Sequence, residues 1–367
     1  LSERLASIDI PPAERVEPIC RYFGVCGGCA TQDWALAPYL AWKRQLVIDA
    51  LHAVRLDAPV DETIDAHGEG RRRVTLHVRQ IDGAPAVGFT QARSHTLVAI
   101  DNCPILAPPL AGVIKAARSL AVVLDGARKP LDIHVTQTDA GMDIDIRGSG
   151  PLNRAQTGAL ARASGECSLA RVTRHGDLVA QGSAPSIKVG RATVTLPPGV
   201  FLQATVAGEQ ALARLVLEHL GKAKRVGDLF CGVGTFALRL AETARVLAAD
   251  SDKGAISALV RAHGTAQGLK PIDAQTRDLF RRPLLAMEMK GMDAVVFDPP
   301  RQGAEAQARE IAKSGVPRVI AVSCNPATFA RDARILHDDA GYRLTRVTPV
   351  DQFRYSTHVE LVASFSL

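Results

Sequence analysis

The chain has 367 residues, 47% of them hydrophobic and 22% charged, a composition that supports two or three packed domains. No apolar run reaches the roughly 20 residues of a membrane span, and no signal-peptide pattern opens the sequence. Seven unevenly spaced cysteines are no disulfide framework and point to a reducing, cytoplasmic compartment, while a net charge of +6 leans towards a polyanionic partner.

The first feature in chain order is "CRYFGVCGGC", Cys20 to Cys29, three cysteines in ten residues with paired glycines between the last two. That density predicts a bound group, not core filling. "APYLAWKRQLVIDALHAVRL" follows as an amphipathic helix able to pack on either half of the chain. The densest basic run, Arg71–Arg73, reads equally as a phosphate contact or a solvated loop face. Residues 71–200 then alternate apolar and polar between turn signals: "VTLHVRQ" with "PAVGFTQ", "DIHVTQT" with "MDIDIRG", "LARVTR" with "LVAQG", and "PSIKV" with "ATVTL". One helix, "LAGVIKAARSLAVVL", interrupts these hairpins, so an antiparallel α+β domain is expected.

From about Val206 the rhythm changes to strand and helix alternation. "AKRVGDLF", "ARVLAAD", "MDAVVFD", "RVIAVSC" and "HVELVASFSL" read as buried strands, and "TFALRLAETA" and "KGAISALVRAHGTAQ" as helices. This predicts an α/β fold with a doubly wound, mostly parallel sheet. The expected division is residues 1–31 and 64–197 for the antiparallel domain, and 32–63 and 198–367 for the α/β domain.

"DLFCGVGTF" sets Gly232 and Gly234 at a strand-to-helix turn, where backbone can approach a ligand. The third glycine of the dinucleotide fingerprint is absent. The next strand ends in Asp250, suited to ribose hydroxyls. NAD needs a helix N-terminus for its pyrophosphate, whereas S-adenosylmethionine has no phosphate and carries a cationic sulfonium. Two further acids near strand ends, Asp278 and Asp298, suit the latter. A turn that only packs helix on strand is the alternative. "AVSCNPATFARD" stops a strand at Cys324, at the carboxyl end where open α/β sheets hold ligands, although an apolar-flanked cysteine also reads as inert core. "HVE" brings Glu360 into an otherwise apolar strand, which is rare for a group without a partner or a role.

Taken together, "CRYFGVCGGC…DNCPIL", "FLQAT", "DLFCGVGTF", "DPPRQG", "SCNPATFARD" and "HVE" resemble the RNA 5-methyluridine methyltransferases that carry a [4Fe–4S] cluster, in order from Cys20 to Glu360. The resemblance implies a Rossmann-like class I S-adenosylmethionine-dependent methyltransferase domain beside a central α+β domain with the cluster. It implies cluster ligation by Cys20, Cys26, Cys29 and Cys103, and S-adenosylmethionine contacts from Gln203, Phe230, Gly232, Gly234, Thr235, Asp250, Asp278 and Asp298. It implies Cys324 as nucleophile, Glu360 as base, and RNA as partner of a monomer, with 23S ribosomal RNA favoured over transfer RNA. Thr205 and Thr235 stand where the family usually or often has Asn, and Arg354 where it usually has Pro. The residues before Cys20 leave no room for the small N-terminal β-barrel that the family often carries. Four thiolates in this spacing also suit zinc. By topology the cluster is expected away from the methyl-transfer pocket, with a structural or RNA-positioning role. Cys167 and Cys231 belong to no set and read as packing residues.

Uracil chemistry explains the residue types. C5 of uracil is a poor nucleophile; addition of a Cys324 thiolate at C6 makes it enolate-like, and Glu360 then removes the C5 proton. The target base must be unstacked, and Phe23, Trp34, Phe201 and Phe353 are the candidate stacking surfaces. Two rivals remain at this point: an amino-group methyltransferase, since "DPP" suits an exocyclic amine, and an RNA-binding module with a vestigial methyltransferase fold.

Overall fold

The computed structural model describes residues 8–124 and 130–367; residues 1–7 and 125–129, assigned above to the antiparallel half, lie outside the described residues. The chain builds two large sheets and a hairpin. Helix α1 (Leu36–Ala53) and the short strand β1 (Ile64–Asp65) come first. The alternating segments then form β2 (Arg73–Ile81), β3 (Ala84–Thr90), β4 (Leu97–Ala99), β5 (Leu131–Thr138), β6 (Gly141–Arg147), β7 (Arg171–Arg174) and β8 (Asp177–Gln181). Their order is β4-β3-β2-β5-β6-β7-β8. Helices α2 (Val113–Val123) and α3 (Arg154–Glu166) contribute Ile114, Leu120 and Leu160 to one core with Ile133, Ile144 and Ile146 of the sheet. The sequence reading missed α3. Its start is a capping box, in which Asn153 and Gln156 satisfy each other's backbone amides. Because α3 crosses between β6 and β7, that pair is parallel in an otherwise antiparallel sheet.

Strands β9 (Ser186–Val189) and β10 (Ala192–Thr195) form a separate hairpin. Ile187, Val189 and Val194 pack in the core shared by α4 (Val206–Leu220) and α6 (Lys253–Thr265), not with the seven-stranded sheet. The expected boundary at 197 is corrected accordingly: alternation identifies a hairpin, but not the sheet it lies on.

The second sheet contains β11 (Arg225–Leu229), β12 (Arg245–Asp250), β13 (Ile272–Thr276), β14 (Ala294–Phe297), β15 (Arg318–Ser323), β16 (Arg343–Asp351) and β17 (Glu360–Ser366), in the order β1-β16-β17-β15-β14-β11-β12-β13. The pairs from β13 through β15 are all parallel, and β17 runs antiparallel between β15 and β16. Covered on both faces, β14, β15 and β17 read as continuous apolar runs. One face meets α4, α5 (Ala237–Leu240) and α6; the other meets α1, α7 (Glu305–Ser314) and α8 (Pro326–Ala340). Each fully buried Val, Leu or Ile contributes about 1.5–3 kcal/mol, so both cores hold the strand ends firmly. Helix α5 is shorter than the expected 235–244, because the amides of Glu242 and Thr243 tighten back onto Arg239 and Leu240. Among the described residues no helix is long and apolar enough to cross a membrane.

The halves meet at the basic run. Arg72 is buried; its guanidinium donates to the Gln203 carbonyl and pairs with Glu209 of α4, whose other oxygen accepts from Arg239. Arg73 donates to the Leu202 carbonyl and lies over the Phe201 ring. A solvated loop face is therefore the wrong reading of Arg72 and Arg73. These side chains join the two sheets.

Candidate active site

Strand register sets the site. Leu229 lies opposite Phe297 in the β11–β14 pair, so Phe230 and Asp298 leave their strands side by side. Ser323 lies opposite Leu361 in the β15–β17 pair, which brings Cys324 to Glu360. Asp250 ends β12 beside β11. Sheet order reverses between β11 and β14, and the crevice at such a switch point is where open α/β sheets bind ligands.

The turn after β11 holds Phe230, Gly232 and Gly234 at φ of 63°, 55° and 92°. A Cβ on Gly234 would lie 2.5 Å from Leu259 Cδ1, so this glycine serves helix packing; at Gly232 a Cβ would meet nothing within 4 Å, and this side of the turn is open. Asp250 accepts from the amides of Gly232 at 2.9 Å and Asp252 at 2.8 Å, one on each oxygen. Free lone pairs remain on both oxygens for further donors. Phe230 and Phe280 meet beyond it with ring centroids 5.4 Å apart and planes tilted by 50°. Asp278 caps its own turn, accepting from the Phe280 amide at 3.0 Å. Thr235 is half-buried and its carbonyl accepts from Arg239. Thr205, where the family usually has Asn, is used by the fold: its hydroxyl donates to the Ala66 carbonyl and caps α4 at the Gly208 amide.

Burial pushes the Asp298 carboxyl up to about 7, with Asp250 adding to the rise and a 3.1 Å bond from Gln203 Nε2 opposing it. Glu360 is pushed up to about 8 by burial and by Asp298, against a 3.1 Å bond from Gln352 and the nearby Arg301 guanidinium. Cys324 rises to about 12, first through burial, then through Glu360 and Asp298, with Arg301 opposing. The wholly buried Asp228 makes no well-formed hydrogen bond on either oxygen, and burial followed by Asp298 and Asp250 pushes it well above the carboxylate range, with the nearby Ala237 amide opposing. Four acids thus share one pocket, in which the Arg301 guanidinium favours the charged forms of Glu360 and Cys324. A cationic ligand relieves the repulsion among the acids.

The sequence reading did not single out Asp228, Arg301 or Gln352, although Asp228 interrupts an apolar strand as conspicuously as Glu360. It also missed Lys43, whose signal was a charge in line with the buried Tyr39, Val47 and Leu51 of α1. Lys43 is fully buried and donates to Asp351 Oδ1 and to the His358 carbonyl, pinning both ends of the loop before Glu360. Arg354, which replaces the family's proline, pairs with Asp65 across to β1.

Cys20, Cys26, Cys29 and Cys103 line a single cavity of about 420 Å³. Among the described residues no set of three or more His, Cys, Asp or Glu stands close enough to hold a metal ion. Burial pushes Cys29 up to about 11, with Cys103, Cys26 and Cys20 adding to the rise, and Cys103 is raised likewise. Arg71 faces Cys29 and Cys103 and lies over the Phe353 ring. Phe353 and Arg354 also line the cavity, and Ala30 bonds the Tyr355 carbonyl at 2.7 Å. The loop leading to Glu360 reaches to the cysteine cavity, but Cys324, Glu360, Asp298 and Asp250 do not line it. Of the candidate stacking aromatics, Trp34 is core, while Phe201 is 64% exposed.

The sheet, its switch point and the acid-lined glycine turn define a class I S-adenosylmethionine-dependent methyltransferase. The Pyrococcus abyssi tRNA (uracil-54, C5)-methyltransferase, solved with S-adenosyl-L-homocysteine, has the same fold, with a TM-score of 0.71 at 21% identity over 92% of this chain and 85% of that one. The sequence model of the tRNA (Uracil-5-)-methyltransferase family matches residues 198–364. An uncharacterized RNA methyltransferase of Rhizobium meliloti is 47% identical over 98% of this chain and 88% of its own length. The 23S rRNA (uracil(1939)-C(5))-methyltransferase RlmD of Aeromonas salmonicida is 30% identical over 98% of this chain and 85% of its own. The chain belongs to the uracil-C5 RNA methyltransferase family and is an S-adenosylmethionine-dependent enzyme.

Proposed function

We propose that this enzyme converts a uridine of 23S ribosomal RNA to 5-methyluridine by covalent catalysis, with Cys324 as nucleophile and Glu360 as base. The observation that carries the chemistry is the convergence of Cys324, Glu360 and Asp298 at one sheet edge, where Asp298 raises the proton affinity of Glu360 and both raise that of Cys324. Ribosomal RNA is favoured because the Aeromonas relative named for it aligns along nearly this whole chain. The enzyme acts in the cytoplasm as a monomer.

S-adenosylmethionine, when bound, supplies an electrophilic methyl group. Asp250 receives the ribose hydroxyls, prealigned by its two backbone bonds. Gly232, Phe230 and Asp278 shape the nucleoside pocket, and Gln203 orients Asp298. Cys324 gives up its thiol proton to solvent and its Sγ bonds to uracil C6; the C5=C6 electrons move onto C5, which takes the methyl group as the sulfonium C–S electrons stay on sulfur. Glu360 then takes the C5 proton; the C5–H electrons re-form C5=C6, and the C6–S electrons return to sulfur. Arg301 favours both the thiolate and the Glu360 carboxylate.

Cys20, Cys26, Cys29 and Cys103 line one cavity and are the donor type of a soft, thiolate-bound centre, although among the described residues they are not gathered closely enough to hold a metal ion as they stand. Burial first, and then the neighbouring sulfurs, disfavour the thiolates of Cys29 and Cys103, and a bound cation would compensate that charge. Cys20, Cys26, Cys29 and Cys103 would hold a [4Fe–4S] cluster, and the cavity they line also includes Phe353 and Arg354 of the loop before Glu360. The domain with the seven-stranded sheet presents RNA to the catalytic edge. Mapping 5-methyluridine in RNA from cells with and without the gene tests the assignment: loss at one 23S uridine is expected, and loss confined to transfer RNA, or no loss, refutes it.

A further inference from the structure

The loop between β16 and β17 places an amide between the catalytic groups. Gln352 is fully buried, one residue past the end of β16. Its Nε2 donates to Gln203 Oε1 at 2.6 Å and to Glu360 Oε1 at 3.1 Å, and its Oε1 accepts from the Ala204 amide at 2.8 Å. These partners fix which end of the amide is nitrogen, since only NH2 satisfies two acceptor oxygens. Gln203 continues the chain to Asp298 Oδ2 at 3.1 Å. Two amides thus link two of the pocket's carboxyl groups, Glu360 and Asp298, in one line. Space for Gln352 is built in: a Cβ on Gly208 would stand 2.6 Å from its Oε1 and 2.7 Å from its Cβ. Lys43 holds the loop at Asp351 and at the His358 carbonyl, so the backbone carrying Gln352 is itself anchored.

The consequence falls on Glu360. Its Oε1 is occupied, whereas its Oε2 is buried and has no hydrogen-bond partner. We infer that Gln352 is a positioning residue that holds Glu360 by Oε1 and leaves Oε2 as the atom that receives the C5 proton. This inference rests on the covalent uracil mechanism proposed above. In that step the C5–H electrons become the C5=C6 bond, the C6–S electrons return to Cys324, and the proton goes to Oε2. Gln352 takes no part in the earlier addition to C6, so its removal slows release of the adduct and spares its formation. Its bond also favours the ionised form of Glu360. A variant without the donor therefore needs a higher pH to have its base in working form.

Two variants test this. Gln352→Met removes the polar end with little change of volume, and Gln352→Glu keeps the shape while deleting the NH2 donor. Each is checked for wild-type affinity for S-adenosylhomocysteine, and the one that retains it is read. Expected with uridine RNA is turnover reduced up to about 10²-fold, the scale of a misplaced catalytic group. A covalent protein–RNA band should accumulate on denaturing gels, and the pH midpoint of adduct release should move upward. Trapping by 5-fluorouridine RNA should stay within about threefold of wild type, on the same reasoning that addition does not use this residue. Turnover and fluorouridine trapping falling in parallel, loss of S-adenosylhomocysteine binding in both variants, or an unchanged pH midpoint would overturn the positioning role. Wild-type protein left untrapped by fluorouridine RNA would instead remove the mechanism beneath it.

Discussion

Replacing Asp250 by asparagine isolates the nucleoside contact with little change of shape. In the native turn each Asp250 oxygen already accepts one backbone amide, from Gly232 at 2.9 Å and from Asp252 at 2.8 Å. The ribose diol would add two O–H donors to the same carboxylate. Asparagine keeps one acceptor oxygen and presents NH2 at the other position, so one backbone bond and one ribose bond lose their acceptor. A hydrogen bond to a charged group contributes about 1.5–3 kcal/mol, which at about 1.4 kcal/mol per decade weakens binding roughly 10- to 150-fold. Calorimetry with S-adenosylhomocysteine measures this, and filter binding of RNA provides the control. The reasoning is refuted if Asp250→Asn binds S-adenosylhomocysteine within about threefold of wild type, or loses RNA affinity by the same factor.

The remaining predictions concern protons, the domain joint and the thiols. Glu360 is raised to about 8 and works as a carboxylate, so release of the methylated adduct should rise with pH and level off above about 8; a flat profile between roughly pH 6 and 9 would contradict this. Glu209→Gln leaves the buried Arg72 and Arg239 without their shared counter-charge and should cost about 3–5 kcal/mol in urea unfolding; an unchanged midpoint would refute the joint. Cys103→Ser should lose the iron and labile sulfide of anaerobically purified protein, about four irons per chain in the wild type. One zinc and no sulfide in the wild type would refute the cluster.

Much of the fold is legible in the pattern of apolar residues. Strands such as β14 and β15 read as continuous runs because both faces are covered, and β2 and β5 alternate because one face of each is packed in the core. The stop at "SCNP" is legible for a local reason: Asn325 caps α8 at the Ala327 amide with Pro326 at its first position. What stayed hidden depends on partners distant in sequence. Arg71–Arg73 looks like a phosphate clamp until Glu209, 137 residues away from Arg72, takes its charge. The hairpin of β9 and β10 carries no mark of the sheet it covers. Gln352 is an ordinary loop polar residue in sequence, and its meaning comes from Gln203, Ala204 and Glu360 closing around it. Nor does the sequence show that the loop before Glu360 reaches the cysteine cavity through Phe353 and Arg354.

The central claim is that Cys324 and Glu360 act at different steps on one covalent adduct. Cys324→Ala cannot bond to C6, whereas Glu360→Gln can add and methylate but cannot take the C5 proton. Denaturing gels of each variant with uridine RNA and radiolabelled S-adenosylmethionine measure this directly. The account predicts a slow-migrating band that carries the methyl label for Glu360→Gln and no such band for Cys324→Ala, with turnover lost in both. Turnover retained by Cys324→Ala, or no labelled adduct with Glu360→Gln, would contradict it.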